Sequence, residues 1–113
     1  MKRGGATATA LLYSGRSDPQ WRLSERQLRQ LIRMWDALRP SPRPPPRTPP
    51  LGYRGCVLRS GAGPHWLAYG GVVAYSRAGL APEHRRDDAQ QFESAILATA
   101  PRRLRPARLT RQP

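Results

Sequence analysis

The clearest pattern of apolar and polar positions lies between residues 24 and 38, where it has the spacing of an amphipathic helix. Apolar side chains recur three or four residues apart and would form one stripe: Leu28, Leu31, Ile32, Trp35 and Leu38. Ser24 can cap the first turn, and Gln27 completes a capping box. Pro40 ends the pattern, because the residue before a proline avoids the helical region. We therefore predict a helix over Ser24 to Leu38.

Shorter stretches have the composition of β-strands. Residues 7–13 are rich in Thr, Leu and Tyr and stop at a Ser-Gly turn signal, so they predict a first strand. Residues 53–59 and 65–75 predict a hairpin around the Gly-Ala-Gly-Pro sequence at 61–64. The Gly-Gly pair at 70–71 would interrupt the second of these strands, either as a bulge or as a point where another part of the chain approaches the backbone closely.

The expected register of this hairpin places Ser60 opposite His65. It then pairs three residues of the first strand with three of the second: Arg59 with Trp66, Leu58 with Leu67, and Cys56 with Tyr69. In this register, Arg59 and Trp66 would form a cation–π pair on an exposed sheet face.

A second helix is expected to run to about Thr99, with Asp87 or Asp88 as its N-cap. Its core-facing side would carry Ala89, Phe92 and Ile96. Residues 77–86 before it are predicted to be a polar loop. The element order is then β-α-β-β-α, which indicates a small α+β domain: an antiparallel hairpin with two helices packed on one face of the sheet.

The chain is expected to divide into a flexible N-terminus (1–5), a single domain (6–101) and a disordered Arg-rich tail (102–113). Residues 40–50 contain seven prolines, which favour an extended polyproline conformation. Arg39, Arg43 and Arg47 are evenly spaced around this tract, as in ligands of SH3-type domains. A stiff loop that connects helix to sheet is the preferred interpretation.

Charge is the most unusual feature of the composition: 20 basic and 7 acidic residues give a net charge of +13. Such a charge attracts polyanions. However, 19 of the basic residues are Arg, and Arg, Ala, Pro and Gly all have GC-rich codons, so codon composition explains the charge equally well. Residues 4–101 carry 13 Arg against 7 acids, a net charge of only +6. Most of the charge therefore belongs to the predicted flexible segments.

The sequence contains no convincing catalytic or metal-binding set. Cys56 is the single cysteine, which excludes an internal disulfide, and the expected register separates it from His65. His84 lies near acidic residues, but a solvated loop explains this cluster better than a metal site does. We therefore expect no catalytic residue, no metal and no cofactor. No membrane span is expected, and the weakly apolar run at 6–12 is interpreted as a strand of a cytoplasmic protein rather than a signal peptide.

Two groups of residues are candidates for binding. The first lies in the loop at 14–21, where two turns bracket Arg16 and Asp18, and Trp21 can close over them. A structural role, in which Arg16 and Asp18 pair with each other or cap the loop, is the alternative for this group. The second combines aromatic and basic residues on the predicted sheet, as on surfaces that hold single-stranded nucleic acid: Tyr53, Arg54, Arg59, Trp66 and Tyr69. Packing in the core and at its rim remains an alternative explanation for most of the second group.

Three short motifs support a resemblance. Ser-Gly-Arg-x-Asp-Pro-x-Trp at 14–21, Leu-Gly-Tyr-Arg-Gly at 51–55 and Tyr-Gly-Gly at 69–71 resemble motifs of a family of small uncharacterised bacterial proteins. The likeness would extend over about residues 7–100, but the chain departs from the family at Ser17 and Asp18, where Pro and Asn are expected. The resemblance implies a single domain without an assigned activity. It singles out Arg16, Trp21, Tyr53 and Arg54 as positions to test.

Two functions follow as hypotheses. The first is a non-enzymatic interaction module that binds a protein partner through the 14–21 loop and the sheet face. The alternative is a nucleic-acid-binding protein that uses its Arg-rich ends as an electrostatic arm, together with an aromatic and basic sheet face.

Overall fold

Six antiparallel strands form one sheet in the computed structural model, which describes residues 5–12, 17–49 and 52–102. The strands are β1 (Ala6–Ala10), β2 (Gln20–Leu23), β3 (Cys56–Arg59), β4 (His65–Tyr69), β5 (Val72–Ser76) and β6 (Glu83–Arg86). Their order across the sheet is β2-β1-β3-β4-β5-β6. Two helices, α1 (Glu25–Ala37) and α2 (Gln91–Ala98), complete the fold. The predicted α+β class is confirmed.

Helix α1 forms as its sequence predicts. The Ser24 hydroxyl accepts a hydrogen bond from the Gln27 backbone N–H, and the Gln27 side chain accepts one from the Ser24 N–H. This capping box satisfies two backbone donors that the first turn would otherwise leave open. Leu31 and Trp35 are buried on the inner side of the helix. At its end, Arg85 donates to the Trp35 carbonyl oxygen, so α1 reaches from β2 to β6 across the sheet.

One face of the sheet packs against both helices. In β1, alanines occupy every core-facing position, so that α2 can approach the backbone closely. Larger side chains from the other strands and from α2 fill the core around these alanines: Trp21, Leu23, Leu58, Trp66, Val73, Phe92 and Ile96. Phe92 and Ile96 are fully buried, as predicted, whereas Ala89 is exposed instead of facing the core.

The sheet contains more strands than expected. Residues 65–75 form two strands, because Gly70 and Gly71 both have positive φ and make a two-residue hairpin turn rather than a bulge. The predicted loop at 77–86 is partly wrong, since Glu83–Arg86 pairs with β5. Gln20–Leu23 is a further strand, paired with β1.

The predicted register of the first hairpin is wrong by one residue. Arg59 lies opposite His65, because the loop has five residues and closes through a hydrogen bond from the Ser60 N–H to the Pro64 carbonyl oxygen. A shift of one residue moves a side chain to the opposite face of a sheet. Leu58 therefore pairs with Trp66 and Cys56 with Ala68. The predicted Arg59–Trp66 cation–π pair does not form; instead the Arg85 guanidinium lies 4.1 Å from the centre of the Trp35 ring.

Asp87 caps α2 from outside the helix. Its two carboxylate oxygens accept hydrogen bonds from the backbone N–H groups of Phe92 and Glu93, at 2.7 and 3.0 Å. A single 3₁₀ turn, Asp88–Gln90, lies between the cap and the helix. The helix therefore begins later than the sequence pattern predicted.

The start of the proline tract lies along the outer edge of β6. The Arg86 N–H donates to the Arg39 carbonyl oxygen, and the Ser41 N–H donates to the His84 carbonyl oxygen. Further on, Pro46 lies against Gly70 so closely that a Cβ at Gly70 would collide with the proline ring. The tract is thus a connection from α1 to the sheet that packs on the domain.

The predicted flexible ends fall largely outside the described residues, which begin at Gly5 and end at Arg102. In the ranges that the structure covers, no helix is long and apolar enough to cross a membrane.

Candidate functional site

The second face of the sheet has no helix packed on it in the described part of the chain. Because side chains alternate along a strand, every residue directly beside a core-facing one points to this side. We call it the open face and define it by these residues: Thr7, Thr9, Gln20, Arg22, Val57, Arg59, His65, Leu67, Tyr69, Val72, Ala74, Ser76, His84 and Arg86.

A line of polar residues crosses five strands of the open face. Strand pairing places these residues side by side in the order Arg22, Thr7, Arg59, His65 and Ser76. We call this line the basic row. With neighbouring strands about 4.8 Å apart, it is about 19 Å long. Each of its side chains can donate a hydrogen bond, from a guanidinium, a hydroxyl or an imidazole.

A parallel line next to the basic row is apolar at its centre. Val57, Leu67 and Ala74 are directly paired across β3, β4 and β5. The apolar row lies two positions along each strand from the basic row, so the two rows are about 6.6 Å apart. Val57 is only 8% exposed, and Leu67 and Ala74 are half-buried, so the row is a low, flat surface.

The open face carries positive charge without any negative charge. The charges are the exposed guanidinium groups of Arg22, Arg59 and Arg86, and the half-buried imidazoles of His65 and His84 add hydrogen-bonding groups. None of the seven acidic residues occupies a position on this face. The three guanidinium groups form no ion pair with any residue in the described ranges. An unpaired cluster of one sign raises the local concentration of anions.

The candidate residues of the 14–21 loop belong to different environments. Arg16 lies outside the described residues. Asp18 accepts a hydrogen bond from the Leu12 N–H at 2.8 Å, which joins the residues just after β1 to those just before β2. Trp21 is 4% exposed, and its indole N–H donates to the Thr99 hydroxyl. Asp18 and Trp21 are thus both engaged within the fold.

The aromatic and basic candidates on the sheet are not brought together on one surface. Arg59 and Tyr69 lie on the open face, whereas Trp66 is buried in the core. Tyr53 is half-buried beside α2, and its ring contacts that of Tyr69 with centroids 6.2 Å apart. Arg54 is half-buried, and its backbone N–H donates to the Leu11 carbonyl oxygen.

A buried polar cluster joins β3 to α2. The Tyr53 hydroxyl donates to Glu93 Oε2, while the Cys56 thiol lies 3.8 Å from the Glu93 backbone oxygen. Burial raises the pKa of the Tyr53 phenol and of the Cys56 thiol, so both groups stay protonated near neutral pH. A fully buried, protonated thiol is a poor nucleophile, and Cys56 therefore acts as a small core residue.

Burial also raises the pKa of Glu93, although its hydrogen bond from Tyr53 acts in the opposite direction. The neutral carboxyl therefore favours folding, and ionisation opposes it. The free energy of unfolding should fall as the pH rises above 4.5, the ordinary pKa of this group. Urea unfolding over about pH 4 to 8 should show this decline in the natural protein and a flatter profile for Glu93→Gln. Glu25→Gln, in the exposed first turn of α1, should keep the decline; if it flattens the profile equally, Glu93 is not the source.

A cleft of about 340 Å³ lies between the end of α1 and the start of α2. Met34 and Leu38 form part of its apolar wall, and Asp88 supplies a charge. Asp87 also lines it, but both of its carboxylate oxygens are occupied by the cap of α2. Within the described ranges, no three His, Cys, Asp or Glu side chains lie close enough to hold a metal ion.

Sequence reasoning missed most of the basic row. Arg22 had a local signal, because polar and apolar residues alternate over Gln20–Leu23. Thr7, His65 and Ser76 have no such signal, since their shared line exists only once the strand order and register are known.

Comparisons with protein-family models, curated proteins and solved structures gave no match.

Proposed function

We propose that the protein is a non-enzymatic binding module that holds an anionic macromolecule on the open face of its sheet. The observation that carries this proposal is the basic row, a line of hydrogen-bond donors on a face without a carboxylate. Hydrogen bonds between a charged donor and an anion are about twice as strong as neutral ones. The row therefore suits a partner whose negative charges are also arranged in a line.

The positions of the other candidate groups support a binding role. The groups with raised pKa values lie inside the fold, where they hold β3 to α2. Asp18 and Trp21 also form contacts within the fold, so the proposed surface moves from the 14–21 loop to the sheet. Membership of the small bacterial family and a cytoplasmic location remain predictions from the sequence.

Replacement of Arg59 by glutamine should weaken binding to a generic linear polyanion. On immobilised heparin, the full-length Arg59→Gln variant should elute at a lower salt concentration than the natural protein, because one exposed charge at the centre of the row is lost. Arg33→Gln is the matched control, since it removes the same charge from the exposed side of α1.

The comparison of the two variants decides the proposal. A larger shift for Arg59→Gln places the binding surface on the open face. Equal shifts would show that heparin responds only to net charge, and the proposed function would then be wrong. Circular dichroism spectra and unfolding midpoints of both variants establish that each remains folded.

A further inference from the structure

We infer that the open face binds single-stranded nucleic acid, with the phosphate backbone along the basic row and the bases over the apolar row. This inference rests on the proposed function and names the class of its partner. The two rows run side by side across the same strands, one able to donate hydrogen bonds and one apolar at its centre. A single strand has the same division, with charged phosphates on one side and flat apolar bases on the other.

The dimensions of the two rows fit this arrangement. The basic row, about 19 Å long, can follow a few successive phosphates, with Thr7 and Ser76 as neutral donors beside the charged Arg22 and Arg59. Bases that project from such a backbone would cover the apolar row, about 6.6 Å away. Val57 and Leu67 give that row a flat surface that does not distinguish one base from another. Binding should therefore depend weakly on sequence.

Double-stranded DNA does not fit the same face. Six strands span about 24 Å, whereas the major groove of B-form DNA is about 12 Å wide. The sheet is therefore too broad to enter the groove. A duplex would also hide its bases from the apolar row, leaving only phosphate contacts.

An acidic protein surface fits less well than a nucleic acid. Stable protein interfaces are built around large side chains that fill pockets at their centre, most often Trp, Tyr or Arg. The centre of the open face instead has Val57, nearly buried, with Leu67 and Ala74 half-buried. In the described ranges, the one large apolar residue that is strongly exposed is Leu80, at 62%, in the loop before β6. The face is thus rich in charge, and its one tyrosine, Tyr69, lies at the end of β4 rather than at the centre of the face.

The test measures binding of the full chain to an oligothymidylate of about 12 nucleotides by fluorescence anisotropy over a range of salt concentrations. An abasic strand of the same length, the matching duplex and polyglutamate serve as comparison probes. We expect the oligothymidylate to bind more tightly than all three. Each lost phosphate contact should reduce the slope of log K against log salt by about 0.7, or about fivefold in affinity near 0.1 M salt.

Three variants connect the binding to the two rows. Arg22→Gln and Arg59→Gln should each reduce the slope and the affinity, whereas Arg33→Gln on α1 should reduce both less. Leu67→Ala should weaken binding of the oligothymidylate but not of the abasic strand, because only the former has bases to contact the apolar row. If Leu67→Ala acted only by destabilising the fold, it would weaken binding of the oligothymidylate and of the abasic strand equally.

The other outcomes separate this inference from the proposed function. If polyglutamate or the abasic strand binds as tightly as the oligothymidylate, and Arg59→Gln weakens both, the face binds anions but the nucleic-acid inference fails. Tighter binding of the duplex would overturn the preference for single strands. If no probe binds, or if binding is the same with and without Arg22 and Arg59, both proposals fail.

Discussion

Replacement of Asp87 by alanine is expected to lower the free energy of unfolding by about 3 kcal/mol. Asp87 is 1% exposed, and its side chain accepts hydrogen bonds from the backbone N–H groups of Phe92 and Glu93. Alanine would leave both donors, which belong to buried residues at the start of α2, without their acceptor. Urea denaturation followed by circular dichroism measures the loss.

Asp88→Ala is the matched control for this substitution. Asp88 is the adjacent residue with the same side chain, but it is exposed and its carboxylate forms no hydrogen bond within the described ranges. Its replacement should change the free energy of unfolding by less than about 0.5 kcal/mol. Equal losses for the two variants would mean that negative charge near α2, rather than the buried cap, supplies the stability.

Replacement of Gly55 by alanine should also cost about 3 kcal/mol, for a steric reason. Gly55 has a φ of +104°, where a side chain is strained, and it precedes β3 directly. A Cβ built there lies 2.7 Å from the Ala68 backbone oxygen and 3.0 Å from the Tyr69 Cβ. Because both neighbours belong to β4, the strands would have to separate. A fall in the thermal and urea midpoints measures the effect.

Gly63→Ala separates the strain from the collision. Gly63 also has a positive φ, +120°, but its Cβ would meet no atom within 4 Å. This variant should lose only the cost of backbone strain, about 1 to 2 kcal/mol. If Gly63→Ala lost as much stability as Gly55→Ala, the collision of the Cβ at position 55 with β4 would not be the cause of the larger loss.

Local interactions explain which elements the sequence predicts well. Helix α1 has its apolar stripe, its capping box and its terminating proline within a single stretch of chain, so no distant contact is needed to recognise it. Strand β6, Glu-His-Arg-Arg, is at the other extreme. It contains no apolar residue, and it becomes a strand only because β5 and the Arg39–Ser41 segment offer backbone partners on both sides.

The register of the first hairpin shows how a small local choice changes the interpretation of a site. Loops of four and five residues both fit the Gly- and Pro-containing sequence at 60–64, and they differ by one position of pairing. That difference moves Trp66 from a neighbour of Arg59 on the surface to a core residue opposite Leu58. A binding surface predicted from the four-residue loop therefore contains a residue that the core requires.

The candidate site is even less local than the hairpin. Arg59 was recognisable as an exposed basic residue on a strand, but its partners were not. Arg22 lies on its row only because β1 is inserted between β2 and β3. This strand order depends on which strands pair over long distances, and the alternation of residues within each strand does not determine it.

The connection that runs along β6 also limits how copies of this protein can join through their sheets. The hydrogen bonds from Ser41 to His84 and from Arg86 to Arg39 occupy backbone groups that another strand would need. Within the described ranges, β2 is then the outer strand that can still accept a neighbour. Two copies that paired along β2 would each offer a third copy only the outer edge of β6, which the Arg39–Ser41 segment already covers. Growth by strand addition would end at a pair of molecules. The short Arg39–Ser41 segment therefore protects this edge of the sheet against fibre formation.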